Sequence, residues 1–203
     1  MFDARLRPLI DPPLNAIGRS LARAGMTANL VTLIGAAIGI GGAVAIAERQ
    51  FLLALALVLL SRLLDGLDGA VARATQKSDF GGYLDIVCDF AFYVAVPVGF
   101  GVADPANLRP ALVLVACFTV TGISFLAFAV LAAQRGLSTE AHGDKSFFYN
   151  TGLAEGGETI AFFVAMCVWP TAFPMLAGLF TALCVITIIQ RSMAARLVFK
   201  QRA

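Results

Sequence analysis

The chain has 203 residues, 59% of them hydrophobic and only 14% charged, with a mean hydropathy of +0.84. Soluble domains average roughly 45–50% apolar and about 25% charged, so the composition excludes an ordinary soluble globule and points to an all-α integral membrane protein. The net charge of +2 is too slight to imply a nucleic-acid partner, and the length suits a single membrane domain over residues 1–203.

The opening Met-Phe-Asp-Ala-Arg-Leu-Arg-Pro carries no apolar core, so it does not read as a cleaved signal peptide. Asp11 followed by Pro12 and Pro13 reads as a helix start, with the aspartate as cap and proline in the first turn. Leu14, Ile17 and Leu21 then recur at helical spacing between Arg19 and Arg23. This predicts a short amphipathic helix at the membrane interface, over about 12–24. Six apolar runs follow, each near the roughly 20 residues that cross a bilayer core. They cover about 28–47, 51–73, 82–103, 110–133, 153–169 and 171–190. Residues 74–80 and 134–152 form the longer, more polar connections.

Charge orients such a bundle. Twelve of the fifteen basic residues fall on the side of the termini, among them Arg5, Arg7, Arg19, Arg23, Arg73, Lys77 and Arg196. Arg49 and Arg109 fall on the other side, and Arg62 lies within the second run. The positive-inside rule then places both termini and both polar loops in the cytoplasm of a multi-pass protein.

Four aspartates interrupt the apolar pattern, at Asp65, Asp68, Asp85 and Asp89. An aspartate at mid-bilayer costs about 2.5–3.5 kcal/mol on insertion scales, so such groups are retained for a use. Asp65 and Asp68 are i,i+3 and share a helix face, which Ala72 continues; Asp85 and Asp89 are i,i+4 and share another, with Gly81 one turn before. The short stretch from Ala74 to Phe80 makes the two helices neighbours. Four converging carboxylates need a counter-charge, and a hard divalent cation such as Mg²⁺, Mn²⁺ or Ca²⁺ supplies one through oxygen ligands. No His or Cys is placed to join them, which argues against zinc. Small residues on the same faces, Gly69, Ala72 and Gly81, leave room for a ligand or for close helix packing. Carboxylates, metal and space together suggest phosphoryl transfer.

These residues, Asp65-x-x-Asp68-Gly69-x-x-Ala72-Arg73 and then Gly81-x-x-x-Asp85-x-x-x-Asp89, resemble the signature of the CDP-alcohol phosphatidyltransferases, six-helix membrane enzymes of phospholipid synthesis. The segment Asn29-Leu-Val-Thr32 is similar to the one that opens the family's first span. Lys145-Ser-Phe-Phe-Tyr with Glu155 and Glu158 resembles a bacterial inner-membrane branch. The resemblance implies that Asp65, Asp68 and Asp85 hold metal, with Asp85 bridging two Mg²⁺ or Mn²⁺ ions. It implies that Asp89 contacts the second ion and serves as catalytic base. Asn29, Thr32, Gly69, Ala72, Arg73, Ser78 and Gly81 would bind the CDP donor. The implied reaction moves a phosphatidyl group from CDP-diacylglycerol to an alcohol and releases CMP, in a homodimer. The chain departs from the family in one respect: seven residues, not eight, separate Arg73 from Gly81.

Other residues admit two readings. Glu155 and Glu158 suit a helix N-terminus by charge or a wall of the acceptor pocket. Arg135 and Lys145 read as topology determinants or as ligands for an acceptor phosphate. Three other functions compete with the first. A soluble CDP-alcohol with diacylglycerol as acceptor uses the same chemistry. A cation or proton transporter also needs intramembrane carboxylates, though usually near the midplane, and a catalytically dead scaffold would keep the fold.

Overall fold

The computed structural model describes residues 2–136 and 153–200. The described residues form seven α-helices: α1 (Phe2–Arg23), α2 (Ala28–Ala47), α3 (Phe51–Ala74), α4 (Asp79–Ala103), α5 (Leu108–Gln134), α6 (Gly156–Val168) and α7 (Phe173–Lys200). Short 3₁₀ turns, Pro105–Asn107 and Pro170–Ala172, lead into α5 and α7.

Four segments are long and apolar enough to cross a membrane: Ala28–Ala47, Asp79–Ala103, Pro105–Gln134 and Pro170–Lys200. Helix α3 has the length, at 24 residues, but from its midpoint on it carries Arg62, Asp65, Asp68 and Arg73. Helix α6 has 13 residues, about 20 Å at 1.5 Å per residue, against a hydrocarbon core of about 30 Å. The bundle's periphery is apolar, as the lipid-facing side of a membrane protein is: Leu52 is 82% exposed and Val102 67%.

Several boundaries differ from expectation. The first helix begins at Phe2, not at Pro12, so Asp11 is not its cap. Pro12 and Pro13 thus lie inside the helix, where each leaves one amide hydrogen bond unmade. Helix α4 starts at Asp79 because Ser78 caps it, its hydroxyl accepting the Gly81 N–H at 3.0 Å. Helix α6 starts three residues late. The N–H groups of Leu153 and Ala154 donate to Thr187 Oγ1 at 3.0 and 2.9 Å, which ties that stretch to α7, and Glu155 is extended. Helix α7 runs ten residues beyond its expected end at Gln190. Loss of apolarity there marks a change of surroundings, not a helix stop.

The core is aromatic. Phe92, Phe100, Phe163, Phe173 and Phe180 are fully buried, and Phe100 stacks on Phe173 with ring centroids 4.4 Å apart. A second, smaller core docks α1. Leu14 and Leu21 pack on Val31, Leu67 and Val71 of α2 and α3, whereas Ile17 is left 47% exposed. Two glycines permit the closest approaches. A Cβ on Gly18 would lie 2.7 Å from that of Ala70, and one on Gly39 would lie 2.7 Å from both the Phe92 ring and Ser61 Oγ. A side chain at Gly18 would push α1 off α3, and one at Gly39 would part α2 from the helices bearing the aspartates.

Candidate active site

The i,i+3 spacing on α3 and the cap at Ser78 set the two aspartate faces against each other. Carboxylate oxygens of Asp65, Asp68 and Asp85 lie within 4.8 Å of one another. Asp68 is buried, and its Oδ2 has no hydrogen-bond partner among the described residues. A buried carboxylate oxygen without a donor is costly, and a cation removes that cost. The donor set is all oxygen, as Mg²⁺ and Mn²⁺ prefer. The three residues therefore fit a divalent ion.

Asp89 adjoins Asp65 but lies outside this three-residue set. Its Oδ1 accepts from Arg62 Nη1 at 2.6 Å, and its Oδ2 accepts from the Tyr93 hydroxyl at 3.4 Å. Arg62 also reaches Asp65 at 3.5 Å. Its guanidinium lies 4.1 Å from the centre of the Phe92 ring and donates to Ser61 Oγ, which donates in turn to the Gly35 carbonyl at 2.8 Å. The sequence presented Arg62 only as a charge inside a span. Its i,i+3 relation to Asp65 was visible there, but its approach to Asp89 depends on how α3 packs against α4.

A cavity of about 230 Å³ opens on one side of the cluster. All seven residues expected for the CDP donor line it: Asn29, Thr32, Gly69, Ala72, Arg73, Ser78 and Gly81, together with Asp68, Asp85 and Lys77. The shorter connection between Arg73 and Gly81 thus still brings Lys77 and Ser78 to the cavity. Arg73 is held from α1, its Nε and Nη2 donating to Asn15 Oδ1 at 3.1 and 2.9 Å. Nothing in the sequence linked Asn15 to this site.

A second cavity, of about 340 Å³, shares no lining residue with the first. Asp89 and Tyr93 of α4 line it with Thr121 of α5, Glu155 and Thr159 at the start of α6, and Arg191 of α7. Arg191 donates to the Thr121 carbonyl at 3.3 Å and lies 5.6 Å from the Phe125 ring centre. Of the residues expected for an acceptor, Glu155 lines this cavity. Glu158 does not, although its Oε2 is buried without a hydrogen-bond partner among the described residues. Arg135 is elsewhere, donating to the Phe199 carbonyl at 2.9 Å. Lys145 lies outside the described residues. Arg191 was read from sequence only as a charge beyond the last span; the extra turns of α7 bring it inside.

The chain is similar to known proteins in sequence and in fold. The chain is 44% identical over 201 residues to inner membrane protein YnjF of Escherichia coli, covering 98% of each. It is 40% identical over 87 residues, 42% of this chain and 46% of the relative, to an archaetidylinositol phosphate synthase of Pyrococcus horikoshii. In structure it resembles the phosphatidylinositol phosphate synthase PgsA1 of Mycobacterium tuberculosis. The PgsA1 structure with CDP-DAG bound superposes with a TM-score of 0.67 at 26% identity, covering 90% of this chain and 93% of that one. The PgsA1 structure in complex with manganese and citrate gives 0.66 at 26% identity, covering 90% and 88%. Residues 25–193 match the CDP-alcohol phosphatidyltransferase family. With its paired aspartate motif intact, the chain belongs to that family of membrane-embedded phospholipid-synthesising transferases.

Proposed function

We propose that this single-domain enzyme transfers a phosphatidyl group from CDP-diacylglycerol to the hydroxyl of a small alcohol, with release of CMP. One observation carries the reading: two cavities with no lining residue in common each reach aspartates of the motif. Asp68 and Asp85 face the cavity with Arg73 and Lys77, while Asp89 faces the one with Glu155 and Arg191. A donor and an acceptor entering through the two cavities would meet at the carboxylates.

Arg73 and Lys77 offset the charge of the donor diphosphate, and Gly69, Ala72 and Gly81 leave space for it. Asp89 accepts the proton of the acceptor hydroxyl. The acceptor oxygen forms a bond to the β-phosphorus, the phosphoanhydride bond breaks, and CMP leaves with the bridging oxygen. Arg62 and Tyr93 orient the base through its two oxygens. Asp65, Asp68 and Asp85 would hold Mg²⁺ or Mn²⁺, with Asp85 and Asp89 serving a second ion. The metal, when bound, supplies charge neutralisation on the phosphates. Asn29 and Thr32 border the donor, and Glu155 and Arg191 border the acceptor.

In this reading α2 to α7 make six crossings. The charges of α3 lie at its cytoplasmic end, α1 lies on the interface, and both termini and the site face the cytoplasm of a bacterial inner membrane. The basic residues clustered on the side of the termini support that orientation. The family resemblance supports a homodimer.

The test is release of radiolabelled CMP from CDP-diacylglycerol with Mg²⁺ or Mn²⁺ across a panel of alcohols. Lipid mass spectrometry of membranes with and without the protein then identifies the product. Failure with every acceptor, alongside turnover of a soluble CDP-alcohol with diacylglycerol, would reverse the donor and acceptor assignments. Metal-dependent ion flux without CMP release would favour the transporter.

A further inference from the structure

The three aspartates that converge within 4.8 Å do not include Asp89. That carboxylate is already served by a cation. The Arg62 side chain is only 8% exposed, and its guanidinium pairs with Asp89 at 2.6 Å and with Asp65 at 3.5 Å. Arginine cannot shed its charge under these conditions, and short charge-assisted bonds are the strong ones. Phe92 and Ser61 fix the guanidinium from two further sides. A second divalent ion approaching Asp89 therefore meets a buried, immobile positive charge.

We propose that Arg62 stages metal loading. The free enzyme takes one divalent ion, on Asp65, Asp68 and Asp85, and Asp89 stays with Arg62 until the CDP donor is bound. The inference rests on the proposed reading of these aspartates as metal ligands. Charge supports the order. Four ionised carboxylates with Arg62 carry three negative charges. One divalent ion leaves a single negative charge, and a second would make the site positive. The donor's diphosphate restores the negative charge that a second ion needs. The cavity for that diphosphate reaches Asp68 and Asp85 but not Asp89, so the donor approaches from the side where the metal ligands are free. Such an order would keep a fully loaded centre from forming before there is a donor to act on.

The experiment counts Mn²⁺. Protein stripped with EDTA in detergent is titrated with Mn²⁺, following free Mn²⁺ by electron paramagnetic resonance, with and without CDP-diacylglycerol and corrected for uptake by donor micelles alone. One ion per chain is expected without donor and two with it. Arg62→Gln should take two without donor, whereas Arg62→Lys, which keeps the charge, should stay nearer one. Two ions in the wild type without donor, or one ion in both states, overturns the proposal, and the wild-type counts decide it even where a variant fails to fold. A folded Arg62→Gln protein that still takes a single ion without donor also overturns it. CMP release with either of those counts leaves the transferase reading standing. No Mn²⁺ uptake in either state removes the metal reading itself, and this inference with it.

Discussion

The two cavities beside the aspartates are built in opposite ways. The donor-side cavity draws nearly all its lining from two short stretches, residues 28–32 and 68–85. The other is assembled from α4, α5, α6 and α7, with Asp89 and Arg191 more than a hundred positions apart. Chemistry common to a family can be written in one local motif. In the proposed reading, selection of the acceptor falls to side chains that only the packing of distant helices brings together. If that division holds, variants on the two sides will separate cleanly in their kinetics.

The largest effect is expected where the sides meet. Asp89→Asn should lower the rate of CMP release roughly 10²- to 10⁴-fold, the range typical of a positioned base, while donor binding measured by calorimetry is largely preserved. Normal turnover in this variant would remove Asp89 from the base role. Next come the two arginines. Arg73→Met should raise the KM for CDP-diacylglycerol roughly tenfold to a hundredfold and leave the acceptor KM nearly unchanged. Arg191→Met should do the reverse, since a hydrogen bond from a charged group contributes about 1.5–3 kcal/mol. Steady-state titration of each substrate checks both, and an Arg191 variant that shifted only the donor KM would break the comparison.

Smaller effects should follow behind these residues. Asn15→Ala frees Arg73 from α1 and should raise the donor KM about three- to tenfold, since the two exposed hydrogen bonds it loses are partly replaced by water, with kcat held. Gly81→Ala would set a Cβ 3.0 Å from Ser78 Oγ and 3.1 Å from Asn29 Oδ1. Those side chains must yield by a few tenths of an ångström, so a donor KM shift of about threefold or less is expected. An equal fall in kcat for both acceptor- and donor-limited rates would instead mean that α4 itself had moved.

Much of this was legible in the sequence. Helical periodicity fixes which side chains share a face, so Asp65 with Asp68, and Asp85 with Asp89, could be paired before any coordinates. The family resemblance, not periodicity, supplied the seven expected donor residues that line the cavity beside Asp68 and Asp85. It did not supply Asn15, whose contact with Arg73 spans 58 positions, nor the role of Arg62. Helix ends were misjudged where a tertiary bond replaced a local signal. Thr187 holds back the start of α6, and α7 continues as a helix after its apolar stretch ends.

The sequence by itself determined the class of molecule, the membrane setting and the register within each aspartate pair, because these depend on composition or on spacing within a single helix; the family followed from resemblance to a signature that runs from α3 into α4. Tertiary structure alone decided that Asp89 pairs with a buried arginine, beside Asp65 but outside the close set of three aspartates. It alone built the second cavity and placed Arg191 within it. Those features depend on the angles and distances at which helices pack, and these follow from buried aromatic rings and close glycine contacts summed across the bundle, which no one segment contains.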